Sequence, residues 1–254
     1  MTSLHRILEI RRPVAINLAN RASASSCNDC GARHQGICDA LVDDELAFLS
    51  RAAQHVTLAP NTLVIEEGDP ATYFYNVNSG TIRLFKSLPD GRRQITGFAG
   101  PGHFLGLASA KKNIVSAESM EPVKLCRFSR ATMHSMFEEY PQLERKLLDV
   151  AMHELVLGQQ QMLLLGRKTA IERIASFLLA WAERLEICVS GALPKPNSSM
   201  HLPLSRTDLA DYLGLTIETV SRTLTAFETA ATIERPTMRK VVLRNRTALN
   251  RLNG

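Results

Sequence analysis

Little in this chain of 254 residues points to catalysis, secretion or a membrane. No run approaches the roughly eighteen uncharged apolar residues of a membrane-spanning helix, which excludes one. Five cysteines are too few for a disulfide scaffold, and the number is odd. There is no nucleophile elbow, no phosphate-binding loop and no His-Glu-x-x-His zinc motif, so nothing marks a substrate site. Internal repeats and low-complexity tracts are absent as well. The N-terminal stretch 1–26 is rich in Arg and Ser, and its one acid is Glu9. It lacks the continuous apolar core of a secretory signal and reads as a basic arm.

What remains is ordinary globular composition, 45% apolar and 22% charged, with a net charge of +5. At roughly 150 residues per domain the length allows one or two domains. The mild basic excess suits an anionic partner such as nucleic acid.

The texture changes along the chain. Asp43, Asp44 and Glu45 open a short helix ending near Ala53, since acids in a first turn suit the positive end of the helix dipole. From Val56 to about Phe128 short runs such as Leu63–Ile65, Tyr73–Val77 and Thr81–Phe85 alternate with turn signals. Pro89-Asp90-Gly91 and Gly100-Pro101-Gly102 are two of these signals. Close spacing of this kind predicts a compact antiparallel barrel or sandwich. From Tyr140 to Glu186 breakers are sparse and apolar residues recur at a helical period, including Leu147, Val150, Leu155 and Met162. A second helical pattern covers Lys168–Leu185, and 191–197 is a Pro/Gly-rich break.

The segment Leu204–Glu228 predicts a helix-turn-helix. Ser205 with Asp208 has capping-box spacing. Gly214 suits the turn, and Thr216 is a good N-cap for a second helix from Ile217. That helix presents Glu218, Thr219, Ser221 and Arg222 outward. Arg pairs bidentately with guanine and Glu accepts from cytosine, so the two can read one G·C pair. Residues 232–236 and 238–244 then read as a hairpin wing. Residues 201–254 carry 8 basic and 5 acidic side chains, 8 − 5 = +3. Arg239 and Lys240 of the wing are placed to meet phosphates.

Cys27-x2-Cys30-x7-Cys38 is the other informative feature. Thiolates at close spacing select zinc or an iron–sulfur cluster. Three ligands leave one position, which Cys126 or His34 can fill. Cys188 lies in a helix-like apolar stretch and reads as a buried small side chain.

Barrel, long helix and winged helix-turn-helix together resemble the CRP/FNR superfamily of bacterial transcription regulators, over residues 27–250. Glu218-x-x-Ser221-Arg222 resembles the FNR branch, which recognises TTGAT-type inverted repeats. The cyclic-AMP branch has an Arg where this chain has Ile217. The resemblance implies an α+β fold: a cysteine-bearing arm (1–40), a β-roll or jelly-roll sensor like a cyclic-nucleotide-binding domain (41–139), a dimerisation helix (140–166) and a winged helix-turn-helix (167–254). It further implies that Cys27, Cys30, Cys38 and Cys126 hold an oxygen-labile [4Fe–4S] cluster. The x7 spacing resembles that of FnrN- and FnrL-type regulators more than that of the enteric members.

The expected partners are double-stranded DNA, a second copy of the chain meeting at Val150, Leu155 and Met162, and RNA polymerase touching Arg92 and Arg93 in the turn Ser87–Arg93. The expected location is the cytoplasm, with no membrane partner. The cyclic-AMP branch holds its ligand with a Gly-Glu-Leu stretch and an Arg-Ser pair. Gly106-Leu107-Ala108 and Val115-Ser116-Ala117 lack the Glu and the Arg, which argues against a cyclic nucleotide. A zinc-binding regulator and a haem regulator using His103 or His55 are the alternatives. An iron–sulfur enzyme is the remote one.

Overall fold

A computed structural model describes residues 17–18, 27, 30–107, 111–189 and 199–253, with backbone alone at 17–18 and 185–189. The expectations for the basic arm and for the Cys188 side chain lie outside the described residues. So does Ala108.

Helix α1 (Asp43–Ala52) buries Leu46 and Leu49, and its first turn carries the three acids. The strands around it are β1 (Asn17–Leu18), β2 (Gln54–Leu58), β3 (Leu63–Ile65), β4 (Tyr73–Ser79), β5 (Ile82–Ser87), β6 (Arg93–Ala99), β7 (Phe104–Leu105), β8 (Ser116–Ser119) and β9 (Val123–Ser129). They form two antiparallel sheets, in the orders β1-β2-β9-β4-β7 and β3-β8-β5-β6. Turn residues such as Gly68, Gly80, Gly91 and Gly102 separate several of these short strands. Val56, Val77, Ile82, Ala117, Val123 and Leu125 fill the space between the sheets.

The period-2 alternation of a strand explains what β9 does with its other face. Val123 and Leu125 point to the inter-sheet core, while Cys126 and Phe128 join a second cluster. That cluster takes in Leu46 and Leu49 of α1, Met133 and Met136 of α2 (Arg130–Glu139), and Leu143 at the start of α3 (Pro141–Arg167). Ser129 caps α2 by accepting from the Thr132 amide, and Pro141 occupies the first turn of α3, where a missing N–H costs nothing.

Helix α4 (Ala170–Val189) leads to the last module: β10 (Ser199–His201), α5 (Arg206–Leu213), α6 (Ile217–Thr229), β11 (Ile233–Thr237), β12 (Lys240–Leu243) and α7 (Arg246–Leu252). The three strands form one sheet in the order β10-β12-β11. A third cluster holds this module together and extends into the sensor roll. Phe98 of β6 meets Trp181 edge-on at 5.5 Å and Tyr212 at 5.0 Å, with Phe177 alongside. Such ring pairs contribute about 0.5–1.5 kcal/mol each beyond the area they bury. The α+β architecture, a jelly-roll sensor followed by a helix-turn-helix, is the one expected.

Candidate nucleic-acid interface and cysteine site

The helix-turn-helix is built by local chemistry. Ser205 Oγ accepts from the Asp208 amide at 3.0 Å, and the Ser205 amide donates back to Asp208 Oδ2 at 3.0 Å. This reciprocal box starts α5. Gly214 ends it at φ 61°, in the left-handed region, and a Cβ there would crowd Arg173 and Leu165. Thr216 then caps α6, accepting from the Thr219 amide at 3.2 Å. Val220, Thr223, Leu224 and Phe227 form the buried face of α6.

The opposite face carries the expected readers. Glu218 and Arg222 are about three-quarters exposed and lie 3.7 Å apart as an i, i+4 pair. Exposure leaves that pair weak, so either partner can exchange it for a base edge. Ser221 Oγ accepts from Arg206 Nη1 at 3.1 Å, and the Thr219 hydroxyl contacts the Thr216 hydroxyl at 2.9 Å. In the wing, Arg235 pairs with Glu228 and Arg244 with Glu234. Arg235 holds the Glu228 carboxyl below its usual range. Arg239 and Lys240 are exposed and meet no carboxylate among the described residues. They are the wing's available cations.

Cys38 and Cys126 lie against the second apolar cluster, with Cys27 beside them. Gly36 lets this segment close onto the roll: a Cβ there would collide with the Gly102 carbonyl oxygen. Burial pushes the Cys38 thiol up to about 12, helped by Cys126, Cys27 and Cys30. Burial likewise pushes Cys126 up to about 12, an Asn78 hydrogen bond works against it, and Cys27 and Cys30 add to the rise. Cys27 and Cys30 thus act on both of these thiols. Among the described residues, however, no three of His, Cys, Asp and Glu stand in metal-holding geometry. His34 turns away: its side chain is 76% exposed and contacts Asp39 at 3.3 Å. His55 Nδ1 lies 3.8 Å from Cys126 Sγ. His103 is half-buried beside the Arg184 guanidinium, and burial with that charge pushes its imidazole down to about 3.

Helix α3 shows an apolar stripe. Leu148, Met152, Leu155 and Met162 are exposed at alternating 4- and 3-residue steps once Gln159 is included, with Val156 and Leu163 flanking. That is the seam spacing of two helices packed side by side.

Comparison with known proteins agrees with this architecture. A model of the Crp-like helix-turn-helix domain matches residues 172–252, and one of the cyclic nucleotide-binding domain matches 55–140. The nitrogen fixation regulation protein FixK of Bradyrhizobium diazoefficiens is 45% identical over 202 residues, 80% of this chain and 83% of that protein. The chain belongs to the CRP/FNR family of transcription regulators. Its CRP/FNR relatives include the transcriptional activator protein FnrL of Cereibacter sphaeroides, 33% identical over 85% of this chain and 87% of that protein. The solved structure of FixK2 from Bradyrhizobium japonicum is 38% identical, covers 80% of this chain and 98% of its own, and superposes with a TM-score of 0.72. As a CRP/FNR member the chain is a DNA-binding regulator and not an enzyme.

Two residues expected at contacts with partners are partly buried within the chain in this CRP/FNR fold. Val150 packs on the cysteine-side cluster, five residues and so about 140° around the helix from the exposed Leu155. Arg93 donates to Asp211 Oδ2 at 2.7 Å, while Arg92 stays 76% exposed and pairs with Asp90 in its own turn. Arg206 was not singled out in the sequence. Its position at the start of α5 was the available signal, because the first residues of that helix border the DNA-facing helix.

Proposed function

We propose that this regulator responds to oxygen through a [4Fe–4S] cluster on Cys27, Cys30, Cys38 and Cys126, pairs along α3, and binds TTGAT-type inverted repeats. The observation that carries the reading is the gathering of Cys27, Cys38 and buried Cys126 on one apolar cluster where the sensor roll meets α3, with Cys30 three residues from Cys27. The donor set fits the group: soft thiolates in an apolar pocket, with amide donors from Asn78 and Asn76 directed at sulfur. A bound cluster supplies a redox-sensitive, oxygen-labile centre.

The chain's own residues do the rest. Cys38 and Cys126 surrender protons that burial holds tightly, so loading releases protons and is favoured as pH rises. Lys146 of α3 reaches Asp39, next to Cys38, at 3.4 Å, tying the cysteine segment to the helix. Order around the cysteines therefore bears on the stripe Leu148–Leu163. A change of about 1–3 kcal/mol in pairing alters operator occupancy several-fold or more. In the dimer each Arg222–Glu218 pair reads one G·C pair, Ser221 and Thr219 touch neighbouring bases or phosphates, and Arg239 with Lys240 neutralises phosphate. Arg92, exposed on the β5–β6 turn, carries the polymerase contact. As a DNA-binding regulator the protein works in the cytoplasm. The reading excludes a cyclic nucleotide, because Val115-Ser116-Ala117 brings no cation to a phosphate.

Anaerobic purification with iron and acid-labile sulfide analysis tests the proposal. About four irons per chain, a brown colour lost in air, and palindrome binding lost with it are expected. A colourless protein with one zinc, or equal DNA binding before and after air, overturns it.

A further inference from the structure

The first helix of the helix-turn-helix is fastened to the sensor roll by side chains that reading DNA does not use. Arg83 of β5 donates through Nη1 to Asp208 Oδ1 at 2.9 Å, while its Nε and Nη2 hold Glu118 of β8 at 3.1 and 2.8 Å. Arg93 of β6 donates through Nε and Nη2 to Asp211 Oδ2 at 2.9 and 2.7 Å, and reaches Asp208 at 3.3 Å. Gln94 and Gln161 both donate to the Tyr212 carbonyl, at 3.2 and 2.9 Å. The Asp208 side chain is 6% exposed and also completes the capping box that begins α5.

Geometry makes this more than surface charge. Two guanidiniums from the roll meet two carboxylates one helical turn apart, Asp208 and Asp211, on the same face of α5. Breaking one arm leaves a poorly hydrated charge without its partner, which is strongly unfavourable. The contacts are directional, so they fix the tilt of α5 and not only its nearness. Helix α6 follows α5 rigidly, because Gly214 and the Arg173 bonds to the Leu213 and Gly214 carbonyls close the turn between them. In a two-fold dimer the tilt of each module sets the distance between the two α6 helices. That distance must match half-sites about 34–36 Å apart.

We propose that Arg83 and Arg93 are positioning residues for DNA recognition: by holding Asp208 and Asp211 on the sensor roll they set the half-site spacing that the dimer accepts. The inference rests on the dimeric reading above. It also gives Arg93 a task within the chain instead of on polymerase.

The test uses full-length protein, purified without oxygen, against TTGAT palindromes whose central spacer is shortened or lengthened by one or two base pairs. A single half-site duplex serves as reference. Wild type is expected to favour one spacing by about tenfold or more. Arg93→Asp and Asp211→Arg should each flatten that preference to about twofold while leaving half-site affinity within about twofold. Joining Arg93→Asp with Asp211→Arg should restore it, a rescue that a generally loosened fold would not show. Asp211→Asn provides the same readout if a charge reversal fails to fold. An unchanged spacing preference in these variants overturns the inference, as does a parallel loss of half-site affinity and thermal stability without rescue. A wild-type protein that binds palindrome no better than half-site overturns the dimeric reading itself, and this inference with it.

Discussion

The side-chain amide of Asn78 donates to Cys126 Sγ across 3.2 Å, while its own carbonyl oxygen is buried without a partner among the described residues. Asn76 repeats the arrangement more loosely, with its amide 4.0 Å from Cys38 Sγ and its oxygen also unpartnered. A stranded buried carbonyl costs about 1–3 kcal/mol. Two such amides, one directed at half-buried Cys38 and one at buried Cys126, are explained if the sulfurs carry negative charge in the working state.

Loss of one donor should therefore be visible in the loaded protein. Asn78→Leu is expected to retain iron after anaerobic purification but to lose its visible absorbance faster in air than wild type, because fewer N–H···S bonds make a cluster easier to oxidise. Cys126→Ser should load little iron at all, and Cys188→Ser should load normally. Equal decay rates for Asn78→Leu and wild type would separate Asn78 from the cluster.

Much of the fold was legible because it is written in local chemistry. Ser205, Asp208, Gly214 and Thr216 predicted α5, its end and the start of α6, and each does the expected task. Helix α2 was missed: its 10 residues follow β9 with no breaker between, so strand texture masked the Ser129 cap. The inward turns of Val150 and Arg93 were not readable either. A helical stripe gives a period but no absolute direction, and Arg93 meets Asp211 from 118 residues away. The cysteine spacing was plain in the sequence, whereas the donors around it, Asn76, Asn78 and His55, come together only through sheet register.

The buried titratable groups give the metal-free protein a pH profile with two slopes. Burial pushes the thiols of Cys38 and Cys126 up to about 12 from an ordinary value of 9.0. The unfolded chain then binds fewer protons between those values, so stability falls as pH rises from 9 towards 12. Burial raises Tyr75 and Tyr212 as well, which adds to the same loss above pH 10. His103 works in the opposite sense: it is held neutral well below 6.5, so stability is lost as pH falls through 6.5 towards 3. Urea midpoints across pH should show both slopes, with the acid slope shallower in His103→Gln and the alkaline slope shallower in Cys126→Ser.

The α3 stripe is the surface on which the proposed pairing rests. Leu155 is 55% and Met162 68% exposed in the single chain. Leu155→Glu places a charge in the seam and should yield a monomer by sedimentation, with palindrome affinity reduced to that of a half-site. Val150→Glu should act differently, unfolding the cysteine-side cluster before it affects pairing. A dimeric Leu155→Glu protein would move the interface off α3.

Base reading and phosphate binding should separate on the last two elements. Arg222 and Glu218 are both exposed and only 3.7 Å apart, so each can reach one partner of the same base pair. Arg222→Ala should cost about 1–3 kcal/mol per half-site and relax discrimination at the G·C pair, leaving binding to unrelated DNA nearly unchanged. Arg239→Ala or Lys240→Ala removes a cation that meets no carboxylate among the described residues, so the effect falls on phosphate binding alone. Binding to all sequences should weaken together, and the slope of log K against log[salt] should decrease by about 0.9 for each phosphate of the duplex that is no longer neutralised. Arg235→Ala, by contrast, breaks an internal pair with Glu228 and should lower stability more than it alters that slope. A sequence-selective loss in Arg239→Ala, or a uniform loss in Arg222→Ala, would reverse the assignment of wing and helix.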